Sequence, residues 1–231
     1  MTDAVNHLLL GPDANRRYAV KNNLTLIESY GRLMDKLPEV IEWTFNLPVN
    51  ELTIALCVEY NLHRPREQVM PFLDAFADGI LQLSKTDYIK KNNFCLRPFG
   101  ELDVFHKVRG KDAYIFDEMI KETETRDGKR INLALAYNQD KEILRAIERC
   151  RKDNLEPTFA NMESRWSIPP VDLMLRVGYP DGFVKATQFW PGIEQTRMKS
   201  HPKTLQELTQ EEYTGMINEY LNLVDSYDKL K

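Results

Sequence analysis

Apolar positions along the chain fall into two alternating patterns. Short, almost uninterrupted apolar runs stop abruptly at polar or turn residues, and between them lie longer stretches in which apolar residues return every three or four positions. The first run, His7-Leu8-Leu9-Leu10, ends at Gly11-Pro12 and delivers Asp13, Asn15, Arg16 and Arg17, as a strand feeding a polar turn does. Leu26-Ile27, Leu33-Met34, Leu37 and Val40-Ile41 then keep helical spacing up to about Phe45, and Pro48 closes that helix. Leu52 to Val58 is a β-rich run of the kind buried on both faces; it ends in Glu59-Tyr60-Asn61-Leu62-His63-Arg64-Pro65. A helix over 66–84 follows, with Val69, Phe72, Leu73, Phe76, Ile80 and Leu81 on one side. Phe94 to Phe99 predicts a third strand, weakened by Pro98, and 113–124 a helix. After the turn at Asp127-Gly128, Ile131 to Tyr137 predicts a fourth strand leading into a helix over 141–151. Pro169-Pro170 opens a fifth strand, Val171 to Arg176, and the tail from Leu205 to Leu230 is charged and helical. This alternation predicts an α/β fold: a single domain over residues 1–231, with a mainly parallel central sheet flanked by helices on both faces.

In open parallel sheets, ligands bind outside the carboxyl ends of the strands. Here those ends carry Asp13, Asn15, Arg16 and Arg17, then Asn61, His63 and Arg64, then Tyr137 and Asn138, and finally Arg176. Guanidinium groups pair bidentately with phosphoryl oxygens, and a helix mouth attracts anions. Asp13 is the odd member, since a carboxylate repels a phosphate unless a hard cation such as Mg²⁺ lies between them. On the first stretch alone, an Asp cap with two solvated arginines explains the residues equally well. Convergence of four separate stretches on one sheet edge favours a ligand site, with a diphosphate held by arginines and a metal bridged to Asp13. No glycine-rich phosphate loop with Lys is present, which argues against a nucleotide kinase or NTPase.

Net charge narrows the partners. At −4 over 231 residues, with a pI near 5.7, nucleic acid is excluded as the main partner, so any anion site is local. Cys57, Cys95 and Cys150 lack metal-ligand spacing and read as reduced thiols of a cytoplasmic protein. No apolar run approaches the ~20 residues of a membrane span, leaving at most a peripheral membrane contact. His63, His106 and His201 read as surface or packing residues, His7 as structural or substrate-adjacent, and Trp43 and Trp166 as core.

Four of these segments, in order, resemble the motifs of the cis-prenyltransferases, the undecaprenyl diphosphate synthase family. His7 followed by Asp13-Ala14-Asn15-Arg16-Arg17-Tyr18-Ala19 resembles that family's His and Asp-Gly-Asn-Gly/Arg-Arg-Trp-Ala. Asn61-Leu62-His63-Arg64-Pro65 is similar to its Asn-Trp-x-Arg-Pro, the segment from Leu135 to Ile143 to its Asn-Tyr-Gly-Gly-Arg-x-Glu-Ile, and Asp172 to Gly178 to its Asp-Leu-x-Ile-Arg-Thr-Ser/Gly stretch. The resemblance spans nearly the whole chain. It implies a homodimeric, Mg²⁺-dependent transferase acting on isoprenoid diphosphates, with Asp13 as the metal-linked carboxylate. It further implies that Ala14, Asn15, Arg16, Arg17, Tyr30 and Arg64 surround the allylic diphosphate, that Asn61 lies by the reacting carbons, and that Arg176 holds the second diphosphate. Glu194, after Trp190, is the nearest candidate for a second metal carboxylate, at a spacing off by about two positions.

The departures carry equal weight. Ala14 and Tyr18 stand where the family has Gly and Trp, Tyr30 where bacterial members carry His, and Val58 where they carry a polar Ser. The family's Arg-x-Ser-Asn-Phe, which serves isopentenyl diphosphate, is replaced by a stretch containing Lys185 and Thr187, which would hold a phosphate in a shifted way. An intact ionising site beside an altered second site suggests a short-chain or irregular synthase, similar to lavandulyl and cyclolavandulyl diphosphate synthases, joining two dimethylallyl units head to middle. Phe72 and Phe76 would shorten a product tunnel, although a Phe stripe at helical spacing is also ordinary core. Alternatives are regular cis elongation with isopentenyl diphosphate, a terpene synthase or cyclase, and a non-catalytic partner subunit. Asp13 speaks against the last.

Overall fold

The computed structural model describes residues 4–103, 114–179 and 196–228. Its elements are β1 (Val5–Pro12), α1 (Asn15–Lys21), α2 (Leu26–Phe45), β2 (Val49–Ala55), a 3₁₀ turn (Glu59–His63), α3 (Arg66–Lys85), α4 (Asp87–Lys91), β3 (Cys95–Gly100), α5 (Tyr114–Thr123), β4 (Arg130–Leu135), α6 (Gln139–Lys152), α7 (Phe159–Glu163), β5 (Leu173–Val177), β6 (Arg197–His201), a second 3₁₀ turn (Leu205–Glu207) and α8 (Gln210–Asp228). The six strands form one sheet in the order β3-β4-β2-β1-β5-β6, and every neighbouring pair is parallel. The predicted α/β architecture is therefore the one observed.

β1 lies at the centre and shows why a continuous apolar run becomes a strand here. Leu8 and Leu10 point into the larger core with Leu33, Leu37, Phe72 and Phe76 of α2 and α3, while Leu9 points to the opposite face with Ala55, Ala134, Ile168 and Met174. Both faces are dry, so period-two polarity never develops. α2 opens with Thr25 and Glu28 bonding each other's backbone in a capping box, and it runs on through Pro38. It packs so tightly on α3 that a Cβ at Gly79 would lie 2.5 Å from the Met34 side chain.

Among the described residues the structure adds helices α4 and α7 and the edge strand β6 to the helices and strands predicted. β6 reads Arg197-Met198-Lys199-Ser200-His201, with only partial burial, so it lacks the apolar run that marks the inner strands. Pro98 sits in β3, the opposite edge, where a missing N–H is tolerated. Trp166 is buried as expected, whereas Trp43 packs against the core half-exposed beneath the Lys36 ammonium. His7 is buried and bonded to Thr53 and to the Pro169 and Pro170 carbonyls, which makes it structural. It lies some ~20 Å of strand away from Asp13, at about 3.3 Å per residue.

Candidate functional site

The carboxyl ends of β1, β2 and β5 meet at one pocket of about 620 Å³. Asp13 leaves β1 with its N–H donated to the Val177 carbonyl of β5 at 2.9 Å. Ala14 follows in the left-handed region (φ 68°), and Gly178 opposes it at φ +78°. A Cβ on Gly178 would stand 2.4 Å from the Asp13 carbonyl oxygen, so only glycine lets the two loops touch.

The local cap differs from the one expected. Ala14, not Asp13, occupies the cap position of α1, and no side chain caps that helix. The Asp13 carboxylate is instead held by Arg176, whose Nε donates to Oδ2 at 2.6 Å. Asp13 is 43% exposed and Arg176 only 10%, so the arginine acts as a buried brace and the carboxylate faces the opening. The Tyr179 ring covers the guanidinium, with 4.1 Å from Cζ to the ring centroid.

α1 supplies Arg16 and Arg17 in adjacent, exposed positions. Arg17 Nη2 donates to the Gly178 carbonyl at 2.5 Å, and Arg16 Nη1 to Gln68 Oε1 of α3 at 3.2 Å. Arg64 enters from the end of the first 3₁₀ turn and lines the pocket with Tyr30 of α2, its guanidinium close enough to favour the phenolate form electrostatically. Burial raises the Tyr30 pKa, with Arg64 and Arg16 opposing the rise, so the phenol stays protonated. Behind Tyr30 lie Phe72 and Phe76, each with its ring centroid 5.7 Å from that of Tyr30 and both fully buried. Tyr30 is therefore the floor of the pocket, and the two phenylalanines lie beneath it without lining the cavity.

Two amides do scaffold work as well as lining the pocket. Asn61 Oδ1 accepts from the Val58 N–H at 3.0 Å, which leaves its NH₂ as the group it can offer a ligand. Asn15 donates to the Pro12 carbonyl at 3.1 Å and accepts from Gln206 at 2.8 Å. The burial of Cys57 pushes its thiol up to about 12, so it is inert packing beside the site.

Of the residues singled out from sequence, Asp13, Ala14, Asn15, Arg16, Arg17, Tyr30, Asn61 and Arg64 all line this pocket, and Arg176 stands directly behind Asp13. His63 is exposed away from it, and Tyr137 and Asn138 line a separate, smaller hollow with Glu59. Lys185, Thr187, Glu194 and His106 lie outside the described residues. Sequence reasoning missed Val20, Lys21, Leu56 and Tyr179 as lining residues; Tyr179 was findable, because it lies in the loop two residues past the end of β5. Among the described residues no group of three or more His, Cys, Asp or Glu side chains is gathered as a metal cage, and no helix is long and apolar enough to cross a membrane.

Comparison with known proteins places this geometry in context. The prenyltransferase family model described as "Putative undecaprenyl diphosphate synthase" matches residues 12–214. An isoprenyl transferase of Campylobacter jejuni strain RM1221 is 28% identical over 176 residues, 75% of this chain and 77% of that one. A tritrans,polycis-undecaprenyl-diphosphate synthase (geranylgeranyl-diphosphate specific) of Methanopyrus kandleri is 25% identical over 180 residues, 74% of this chain and 65% of that one. Among solved structures, lavandulyl diphosphate synthase from Lavandula x intermedia, in complex with dimethylallyl diphosphate, superposes with a TM-score of 0.78 at 16% identity over 95% of this chain and 96% of that one. A probable undecaprenyl diphosphate synthase from Campylobacter jejuni superposes with a TM-score of 0.72 at 26% identity, over 94% and 95% of the two chains.

Proposed function

Because the chain belongs to the undecaprenyl diphosphate synthase family of prenyltransferases, we propose that it ionises dimethylallyl diphosphate with Mg²⁺ and couples it to a second isoprenoid diphosphate in the head-to-middle, lavandulyl manner. One observation carries the short-chain part of this reading. The pocket is of small-ligand size, about 620 Å³, and its floor is closed by Tyr30 packed on Phe72 and Phe76, which belong to the continuous core. A long polyprenyl chain would have to displace that core.

The donor set fits a hard cation that takes most of its ligands elsewhere. Asp13 offers one carboxylate at the opening, and Mg²⁺ is ordinarily held by one or two carboxylates with substrate phosphates and waters. Bound there, Mg²⁺ supplies neutralisation of the charge that develops on a departing diphosphate. Arg16, Arg17 and Arg64 converge on the same opening and hold the diphosphate by charge-assisted hydrogen bonds that strengthen as the C1–O bond breaks. The electron pair of that bond leaves with pyrophosphate. The allylic cation is attacked by the double bond of the second substrate, and the resulting cation gives one proton to the departed pyrophosphate, which completes the coupling. The apolar wall of Tyr30 and Leu56 keeps water from the cation. The NH₂ of Asn61 orients an oxygen of either substrate, and Arg176, fixed between Asp13 and Tyr179, is the guanidinium on the β5 side for the second diphosphate.

Regular elongation with isopentenyl diphosphate is the second reading, and the identity to the Campylobacter isoprenyl transferase favours it. Product analysis by gas chromatography and mass spectrometry after phosphatase treatment separates the two. A ten-carbon alcohol from dimethylallyl diphosphate and Mg²⁺ alone is the expected result. Product formed only when isopentenyl diphosphate is added would establish regular elongation instead.

A further inference from the structure

We propose that Gln206, far from the pocket motifs in sequence, is a positioning residue of the diphosphate site, holding the Asp13 turn in shape through Asn15. This rests on the reading that the Asp13 turn receives a diphosphate.

The Gln206 Nε2 forks between Asn15 Oδ1 at 2.8 Å and the Ser29 carbonyl at 3.2 Å. Asn15 passes the constraint on. With its oxygen turned to Gln206, its nitrogen points to the Pro12 carbonyl at 3.1 Å, the peptide that enters Asp13. The Asn15 carbonyl in turn accepts the Ser29 hydroxyl at 2.7 Å. The amide orientation of Asn15 is thus fixed from both ends, by the Gln206 donor and the Pro12 acceptor. Flipping it would set NH₂ against NH₂ at Gln206 and oxygen against oxygen at Pro12.

Neighbours of Gln206 brace the same turn from the same segment. The Lys203 carbonyl accepts the Gly178 N–H at 2.7 Å, and Gly178 is the residue pressed against Asp13. Glu207 pairs with Lys21 at the end of α1, at 2.5 Å. The segment itself is anchored by buried Leu205 and by reciprocal bonds between Thr204 and Glu207.

An independent sign that the donors of Gln206 matter is its other end. Gln206 Oε1 is buried and accepts no hydrogen bond from the described residues. A buried unpaired acceptor is costly, and an apolar side chain of the same shape would avoid it. A Gln at this place is explained by what its NH₂ holds.

The test uses the full-length chain with Q206M and Q206E, and reads binding of inorganic pyrophosphate with Mg²⁺ by calorimetry, together with the thermal midpoint. Q206M keeps the shape and loses the donor, so its pyrophosphate Kd should rise about tenfold, the size of one neutral hydrogen bond; the midpoint should fall by a few degrees at most, because the Asn15 Oδ1 left without its donor is offset by removal of the unpaired Gln206 Oε1. Q206E carries no donor when ionised but regains an O–H toward Asn15 when protonated. Burial raises such a carboxyl above its ordinary ~4.3, so the Q206E deficit relative to wild type should shrink as pH falls from 7 to 5, whereas that of Q206M should not. Both variants binding within twofold of wild type would overturn the proposal. Wild-type protein that binds no pyrophosphate would overturn the diphosphate reading, and this proposal with it.

Discussion

Asp13 has two duties that a single substitution separates. Its carboxylate closes an ion pair with Arg176 and supplies the negative oxygen at the pocket opening. Asp13→Asn keeps an acceptor for the Arg176 Nε and removes the charge. Asp13, 43% exposed, is screened by solvent at its end of the pair and Asn keeps the acceptor, so the charge is worth about 1 kcal/mol and the melting temperature should move by only a few degrees. Turnover should fall by at least ~100-fold, the usual loss when one preorganised electrostatic partner of a leaving group is removed. Steady-state kinetics beside a thermal melt checks both halves. A variant with near-normal kcat would take Asp13 out of the mechanism. This duality was half legible in the sequence. An acid among arginines at a strand end pointed to a metal-linked carboxylate, but the helix cap it also suggested went to Ala14, because the Gly178 contact forces the chain into a left-handed turn one residue later.

The helical pair α2–α3 decides how deep the pocket is. Tyr30 faces the cavity while Phe72 and Phe76, one turn apart on α3, stand under its ring. Tyr30→Ala should open the floor and yield product, or accept allylic substrate, at least one isoprene unit longer. Phe76→Ala leaves Tyr30 in place, so it should cost about 3–5 kcal/mol as a sealed cavity without lengthening product. Product chromatography and chemical denaturation of the two variants together distinguish them. Longer product from Phe76→Ala alone would mean that the tunnel runs through the core instead of stopping at Tyr30. Helical periodicity placed Phe72 and Phe76 on one buried face of α3, yet could not say that a ring from α2 lies between them and the ligand, since that depends on the packing of two helices. The same limit explains β6. Inner strands announce themselves because both faces are dry, whereas an edge strand such as Arg197–His201 pairs on one side and keeps the polarity of a loop.

The end of the sheet opposite the pocket carries a buried, acid-sensitive histidine. His7 sits among the central strands, with its Nδ1–H donated to the Pro169 and Pro170 carbonyls at 2.9 and 3.2 Å. Those acceptors fix the tautomer, so Nε2 is the bare nitrogen and receives the Thr53 hydroxyl at 2.7 Å. Thr53 in turn accepts from Asn132, whose NH₂ also reaches Glu51, and Asp172 accepts the Asn6 and His7 N–H groups. The chain of bonds thus crosses β4, β2, β1 and the lead-in to β5. Protonating Nε2 would reverse the Thr53 bond and leave its hydroxyl hydrogen without an acceptor. Burial accordingly depresses the His7 pKa below its ordinary 6.5, outweighing the nearby Glu51 and Asp172. The unfolded chain binds this proton more readily than the folded one, so the stability that His7 contributes is complete above pH 6.5 and is lost as pH falls through its folded value. Carboxylates such as Glu59 and Glu207 are shifted downward by their lysine and amide partners, and their loss begins only below about pH 4.5. Calorimetry between pH 7.5 and 5.0 therefore isolates the histidine: the wild-type melting temperature should decline over that range. His7→Gln, starting lower, should hold nearly constant. Parallel slopes in the two proteins would place the acid sensitivity elsewhere and leave His7 as packing alone.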